Sequence, residues 1–457
     1  MNIGNQAILG LIIAVVTLII LVLKTKVHAF LALIIAASMA GIIAGMVPVE
    51  VAQAITGGFG STLGSVGIVI GLGVMMGRIL EVSGAAETLA YTLIKTVGKK
   101  KEEWAMAIAG FIISIPIFVD SAFVILNPLV KSLSRKSGKS VVSIGVALAS
   151  GLVITHSLVP PTPGPLGVAA IFGVDIGVMI ALGLAFGFPM LVAGIIYAKY
   201  IGNKIYQLPS EKNLDEFIRP DEKRDYPEMV KTISERESSL PSFMRSILPI
   251  LVPILLIFMS TTLKAIGLTD NIFSVILFFG EPIIAVAIGL LFAIYGLAIN
   301  MDKESTINQM EEGMKQAGII LLVTGAGGAL GEVIRASGAG DHIAQQIAGF
   351  NIPVLLVPFF IATIIRLIQG SGTVSMITAA SITAPILVQL DVNMSLAAVA
   401  AAMGSLAFSY FNDSFFWVVN RMLGIRDVKE QIKVWSVPTT IMWAVGLVEL
   451  LIVSLFI

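Results

Sequence analysis

The chain has 457 residues, 56% of them hydrophobic and 13% charged, with a mean hydropathy of +0.96. Soluble domains carry about 25% charged residues, and a soluble surface this poor in charge would expose large apolar patches. Lysine and arginine total 29 against 29 aspartates and glutamates, which indicates no polyanion-binding surface and no nucleic-acid partner. There is no cysteine, and His28, His156 and His342 are too scattered for the usual zinc spacings. No metal or other cofactor is expected.

Apolar runs long enough to cross a bilayer, roughly 20 residues each, recur along the chain. Residues 1–62 hold two, at 7–23 and 27–47. The first lacks a basic n-region and a small-residue cleavage site, so it reads as a retained span. Residues 63–172 hold a run at 63–80, a run at 104–130 broken between Pro116 and Ser121, and a run at 141–172 interrupted by Pro160-Pro161-Thr162-Pro163-Gly164-Pro165. One run, 177–199, occupies residues 173–201. Residues 202–245 are polar, carry both charge signs and include Pro209, Pro220, Pro227 and Pro241, as in a cytoplasmic linker without a motif of its own. Runs at 246–263 and 282–299 fill residues 246–317. Residues 318–420 hold runs at 318–336, at 353–390 (broken at Gln369-Gly370-Ser371-Gly372-Thr373) and at 395–420 (broken near Asn412-Asp413-Ser414). The last run, 436–456, lies within residues 421–457.

Most basic residues flank one set of loops: Lys24 and Lys26, Lys95 to Lys101, Lys131 to Lys139, the linker, Lys303 and Lys315, and Arg421 to Lys433. The positive-inside rule places these in the cytoplasm. The run at 104–130 then has both ends inside, and the run at 353–390 has both ends outside. Each is expected to be a re-entrant hairpin, within ten full crossings and with both termini outside. Irregular backbone at membrane depth is tolerated only where protein or a water-filled cavity covers it, so two opposed hairpins imply a central polar site.

A repeat supports this plan. Gly71, Gly73, Gly77 and the Ser83-Gly84-Ala85 end return as Gly325, Gly327, Gly331 and Ser337-Gly338-Ala339. The charged pair is swapped, Arg78 and Glu81 against Glu332 and Arg335, each three residues apart on one helix face. A hairpin and then a broken span follow each copy. Opposite orientation of the copies makes an inverted repeat, as in many secondary transporters; the glycines alone would equally serve helix packing in lipid. The expected fold is an all-α polytopic membrane protein of inverted-repeat type, with two opposed hairpins and two broken helices.

Four helices are expected to start at the membrane midplane, near Ser121, Thr162, Ser371 to Thr373, and Ser414, each with a hydroxyl able to cap. Helix N-termini offer free N–H groups and about half a positive charge, so their convergence favours a small anion. His156, Gln369 and Asn412 add hydrogen-bonding groups for substrate hydroxyls. Arg366, just before the outer hairpin tip, can meet a substrate carboxylate or snorkel within its arm. Asp120 and Asp413 are candidate proton carriers, because a charged carboxylate at the bilayer centre costs about 2.5–3.5 kcal/mol and protonation avoids much of it; the alternative is that each caps its helix. The Arg78/Glu81 and Glu332/Arg335 pairs read as mutually neutralising, and Asp175 and Glu281-Pro282 as helix starts.

At these residues the sequence resembles the gluconate permease (GntP) family of bacterial symporters. The matching segments are Phe118 to Val124, Thr155-His156 with Val159 to Pro165, Gln369 to Val374, and Asn412 to Trp417. The resemblance covers nearly the whole chain. It implies proton-coupled uptake of gluconate or a related small hydroxy acid across the bacterial inner membrane. It also implies kinship with the ion transporter superfamily, homodimers and an elevator motion. The chain departs from the family pattern at Thr162, at Tyr410-Phe411 and at Phe415, where His, His and Gly are common. Fewer imidazoles and added bulk point to a smaller or differently hydroxylated substrate. A sodium-coupled or exchange carrier for glycerate or D-serine is the alternative. An intramembrane enzyme is disfavoured, since GxSxG, HExxH and Walker A sequences are missing, and no catalytic residue is assigned.

Overall fold

The computed structural model describes residues 3–97, 101–210, 216–220, 240–268, 270, 272–339, 353–390, 392–410 and 413–456. Helices α1 (Ile3–Lys24) and α2 (Ala29–Ile43) pair, with the His28 ring capping α2 through Phe30 N–H. Helix α3 (Pro48–Val82) is much longer than the apolar run at 63–80. Pro48 and Glu50 start it in the manner favoured at helix N-termini. Gln53, Thr56 and several glycines dilute its first half, so hydropathy marks only the second. The expected boundary at 62/63 therefore falls inside a helix. The boundary at 317/318 likewise falls inside α13 (Lys303–Ala336).

Helix α4 (Ala85–Val97) was not among the expected elements. It buries Ala85, Ala86, Leu89 and Ala90 but is too short and too polar to register as a span. The run at 104–130 forms α5 (Glu102–Ile113) and α6 (Val119–Ser137). The run at 141–172 forms α7 (Val141–Leu158) and α8 (Pro163–Phe172), split at the prolines. After α9 (Ile176–Lys204), a two-residue ribbon pairs β1 (Leu208–Pro209) with β2 (Phe217–Ile218).

The second half begins with α10 (Phe243–Ala265), α11 (Ser274–Phe279), α12 (Pro282–Leu297) and α13. The second hairpin is α14 (Leu356–Gln369) and α15 (Gly372–Leu387). The second broken span is α16 (Met394–Gly404) and α17 (Ser414–Met422). Helix α18 (Val428–Gln431) leads through a π-helical turn, Ile432–Ser436, into α19 (Val437–Val453). Among the described residues, six helical stretches are long and apolar enough to cross a membrane, joined by several shorter apolar helices.

The two helices that carry the sequence repeat pack against each other, each copy facing the other helix's first half. Gly58 of α3 lies against Gly328 and Ala329 of α13, while Gly313 of α13 lies against Val74 of α3, so the helices are antiparallel. Both copies end alike. Ser83 and Ser337 cap their helices with φ/ψ near −80°/−10° and −75°/−10°, and Gly84 (φ 79°) and Gly338 (φ 70°) make the left-handed turn. Both swapped pairs form: Arg78 with Glu81 at 2.7 Å, and Arg335 with Glu332.

Some of the repeat glycines, Gly77, Gly325 and Gly327 among them, serve close approach. A Cβ on Gly77 would strike Pro116 O at the first hairpin tip, and one on Gly327 would press on Ser381 of α15. Glycine also lets each hairpin arm press on its broken span, at Gly110 and Gly151 for α5 on α7 and at Gly404 for α14 on α16. Helix α7 is buried all round because it has no polar face to offer water.

Two faces can be traced from the loops. On one, Lys139 pairs with Glu102 (2.9 Å) and Glu103, and Ser143 donates to Glu103. There the described part of the linker, expected to have no motif of its own, is held by its ribbon. Val141 N–H donates to Gln207 O (2.9 Å), Gln207 Nε2 donates to Leu423 O (2.7 Å), and Arg219 binds Glu430 bidentately at 2.8 and 2.7 Å. On the other face, Thr261 binds Asp175, the cap of α9, and Lys264 binds Glu281 before α12.

Candidate functional site

Where the hairpin tips approach the broken spans, a cavity of about 340 Å³ opens. Three helix starts line it: Val119 and Asp120 of α6, Ser371, Gly372 and Thr373 of α15, and Ser414 and Phe415 of α17. Val153, His156 and Ser157 of α7, Ser405 and Leu406 after α16, and Thr439 of α19 complete the wall with Arg366 and Asp413.

The capping differs from the sequence expectation at three of the four starts. Ser371 does cap α15, its Oγ accepting from Val374 N–H at 3.3 Å. At α17 the cap is Asp413, one residue before Ser414, accepting from Phe415 N–H at 3.2 Å. At α6 the cap position is Phe118, with no side-chain bond, and Ser121 lies within the helix outside the cavity wall. At α8 the cap position is Thr162, but its hydroxyl donates back to Val159 O at 2.6 Å. Thr162 is 3% exposed and does not line the cavity. The prolines explain this: Pro163 and Pro165 have no N–H, so the start of α8 has few donors to present.

Arg366 does not snorkel. It is 5% exposed, donates to Gly370 O at the hairpin tip, and pairs with Asp413 Oδ2 at 2.5 Å. Gly370 adopts φ 85°, a left-handed turn that aims its carbonyl back at the arginine. A guanidinium has five N–H donors, and these two protein acceptors leave it with donors to spare. Asp413 also accepts from Ser409 Oγ. Its carboxylate is thus occupied by an arginine, a serine and a helix start, the capping alternative left open by the sequence.

Asp120 stands differently. Its neighbours in the cavity are Asp413 and Ser414, and its buried Oδ1 meets no hydrogen-bond partner among the described residues. His156 is tilted against Phe118 with ring centroids 6.1 Å apart, and its Nδ1 is also buried and unpartnered. The structure therefore gathers Asp120, His156, Arg366, Ser371, Thr373, Asp413 and Ser414. Asn412 lies outside the described residues, as does the side chain of Gln369, whose backbone ends α14. His342 is also outside them.

Sequence reasoning missed the buried supports. Ser409, Thr439 and Trp435 sit in apolar runs where single hydroxyls and aromatics carry no signal. Tyr410, flagged as a departure, braces the site by donating to Leu367 O at 2.5 Å. No cluster of histidine, cysteine and carboxylates that could hold a metal occurs among the described residues.

The chain is similar over nearly its whole length to known permeases. It is 53% identical over 455 residues to a permease of Haemophilus influenzae, covering 98% of this chain and 92% of that one. It is 34% identical to a gluconate permease of Pseudomonas aeruginosa, covering 98% and 97%. It is 33% identical to the high-affinity gluconate transporter of Escherichia coli, covering 97% and 98%. Among solved structures, Neisseria gonorrhoeae MtrF matches with a TM-score of 0.63 over 95% of this chain and 96% of that one. The YdaH transporter of Alcanivorax borkumensis matches at 0.61 over 87% and 86%. Both are 15% identical, a likeness of fold. The model of the GntP family permeases matches residues 6–456, and the chain accordingly belongs to that family: it is a multi-pass transporter of the bacterial inner membrane, not an enzyme.

Proposed function

We propose that this permease is a proton-coupled symporter for the uptake of gluconate or a related small hydroxylated monocarboxylate. The observation that carries the reading is the cavity itself: three helix starts and the buried Arg366 surround one polar space of about 340 Å³. Helix N-termini and an arginine with spare donors are complementary to a carboxylate. His156, Ser157, Thr373 and Ser405 supply partners for hydroxyls. The names of the gluconate-transporting relatives support the same substrate class.

Of the two carboxyls in the wall, Asp413 is engaged by Arg366. Among the described residues Asp120 has no cationic partner, and it is the group left to take up and release a proton. A negative substrate placed beside it favours the protonated form by Coulomb repulsion of the ionised carboxylate, which couples the two cargoes. In this reading Asp120 carries the proton, and Asp413 holds the arginine.

The antiparallel α3 and α13 support an inverted repeat, with the Lys139 and Arg219 face in the cytoplasm by the positive-inside rule. Glycines on these two helices face the first hairpin tip and α15, a smooth surface suited to sliding in an elevator-type motion.

The test is uptake into proteoliposomes under an imposed proton or sodium gradient, with hydroxy acids of three to six carbons. Accumulation should follow the proton gradient, and Asp120→Asn should bind substrate yet fail to concentrate it. Full pH-driven accumulation by Asp120→Asn removes that residue as carrier. Accumulation driven by sodium alone refutes proton coupling.

A further inference from the structure

Helix α19 is entered through a π-helical turn, Ile432–Ser436, and such turns are often found at functional sites. Trp435 lies in this turn and is fully buried. Its indole N–H donates to Ser409 Oγ at 3.0 Å. The backbone N–H of Ser409 is held by Thr439 Oγ1 at 3.1 Å, and its hydroxyl donates to Asp413 Oδ2. Asp413 in turn accepts from Arg366, which reaches the hairpin tip at Gly370 O.

The order of this chain is fixed by chemistry. An indole N–H can only donate. It occupies a lone pair of Ser409 and leaves the serine hydrogen for Asp413. Trp435 and Ser409 touch no part of a substrate in the cavity; neither lines it. We propose that they are positioning residues for substrate recognition: the Trp435–Ser409 relay orients Asp413, which sets the guanidinium of Arg366 against the substrate carboxylate. The proposal rests on the reading that Arg366 receives that carboxylate.

The relay acts on one end of the substrate, and this separates it from a general packing role. Trp435→Phe keeps the ring that stacks edge-on against Phe415 (centroids 5.1 Å apart, planes at 89°) and removes only the donor. Ser409→Ala removes the link, and Ser409→Thr restores it. Binding of gluconate and of its uncharged amide is measured by calorimetry on the full-length protein in detergent. Trp435→Phe and Ser409→Ala should weaken gluconate by up to about tenfold, the scale of one hydrogen bond. Both should leave the amide unchanged, and Ser409→Thr should recover gluconate affinity. In an Arg366→Gln background, Trp435→Phe should add nothing.

Equal losses for gluconate and the amide would mean packing, and unchanged gluconate affinity would mean no relay; either overturns the proposal. Arg366→Gln with undiminished preference for gluconate over the amide would instead overturn the anion assignment beneath it. Should Trp435→Phe not fold, the serine series reads the same chain.

Discussion

The Arg366–Asp413 pair makes a sharp prediction about stability. The side chains are 6% and 12% exposed, so each ion relies mainly on the other and on its protein partners. Asp413→Ala removes both the partner of Arg366 and the cap of α17. Breaking a buried pair from one side costs about 3–5 kcal/mol, and losing an N-cap costs about 1 kcal/mol. The sum, about 4–6 kcal/mol, is a large share of the ~5–15 kcal/mol by which most proteins are stable. A control sits on the far face, where Lys264–Glu281 is 42% and 51% exposed; an exposed pair is worth about 0–1 kcal/mol. Arg366→Met combined with Asp413→Ser removes both charges and keeps a capping side chain. It should return to within about 2 kcal/mol of the parent, because a buried ion pair replaced as a unit is often near neutral, yet it should not bind substrate. The assay is denaturant unfolding in detergent alongside binding. Asp413→Ala no more harmful than Glu281→Ala would refute the buried lock. So would a double variant as unstable as the single one.

Three further outcomes follow from the geometry. Gly151→Ala would drive a Cβ into Ala107 O and Phe111 N where α5 crosses α7; overpacking of this kind costs about 1–3 kcal/mol and should appear as a lower melting temperature, with an unchanged value arguing against that contact. Thr162→Val should transport nearly as well as the parent in vesicle uptake, since its hydroxyl serves only Val159 O, whereas Ser371→Val should raise the substrate KM; the reverse order would relocate the binding wall. For Lys139, burial opposes the charge, but the hydrogen bonds and attraction of Glu103 and Glu102 outweigh it and hold the ammonium above its ordinary 10.5. A raised value means that the stabilisation is present below the unfolded lysine value and is lost as pH rises through the folded one. Melting scans into strong alkali should show this loss in the parent and not in Lys139→Gln; parallel curves would exclude it.

How far the sequence could be read depended on the kind of signal. Breaks in apolar runs marked where α5 ends and α6 begins, and likewise α7 and α8, α14 and α15, and α16 and α17, because proline and polar residues interrupt hydropathy where the helix breaks. Helix lengths were less legible: the polar first halves of α3 and α13 look like loops to a hydropathy window, although Pro48 and Asp302 mark their starts. Amphipathic α4 fell below the length of a span. Asp120, His156 and Arg366 could be picked out because ionisable groups at membrane depth are costly and rare. The pairing of Asp413 with Arg366 could not, because the partner of Asp413 lies 47 residues away in sequence. Trp435 and Ser409 gave no sign at all, since a donor pair is visible only once the chain has folded.

The described stretch of the linker has a consequence for how the two halves are joined. Gln207 is 2% exposed and stitched to Val141 on one side and Leu423 on the other, while Arg219 is forked onto Glu430. The described part of the connection, around Gln207 and Arg219, is therefore a seam sewn to the foot of each broken span. A protease cut placed after Pro220 would sever the polypeptide and leave the seam whole, so the two fragments should co-purify.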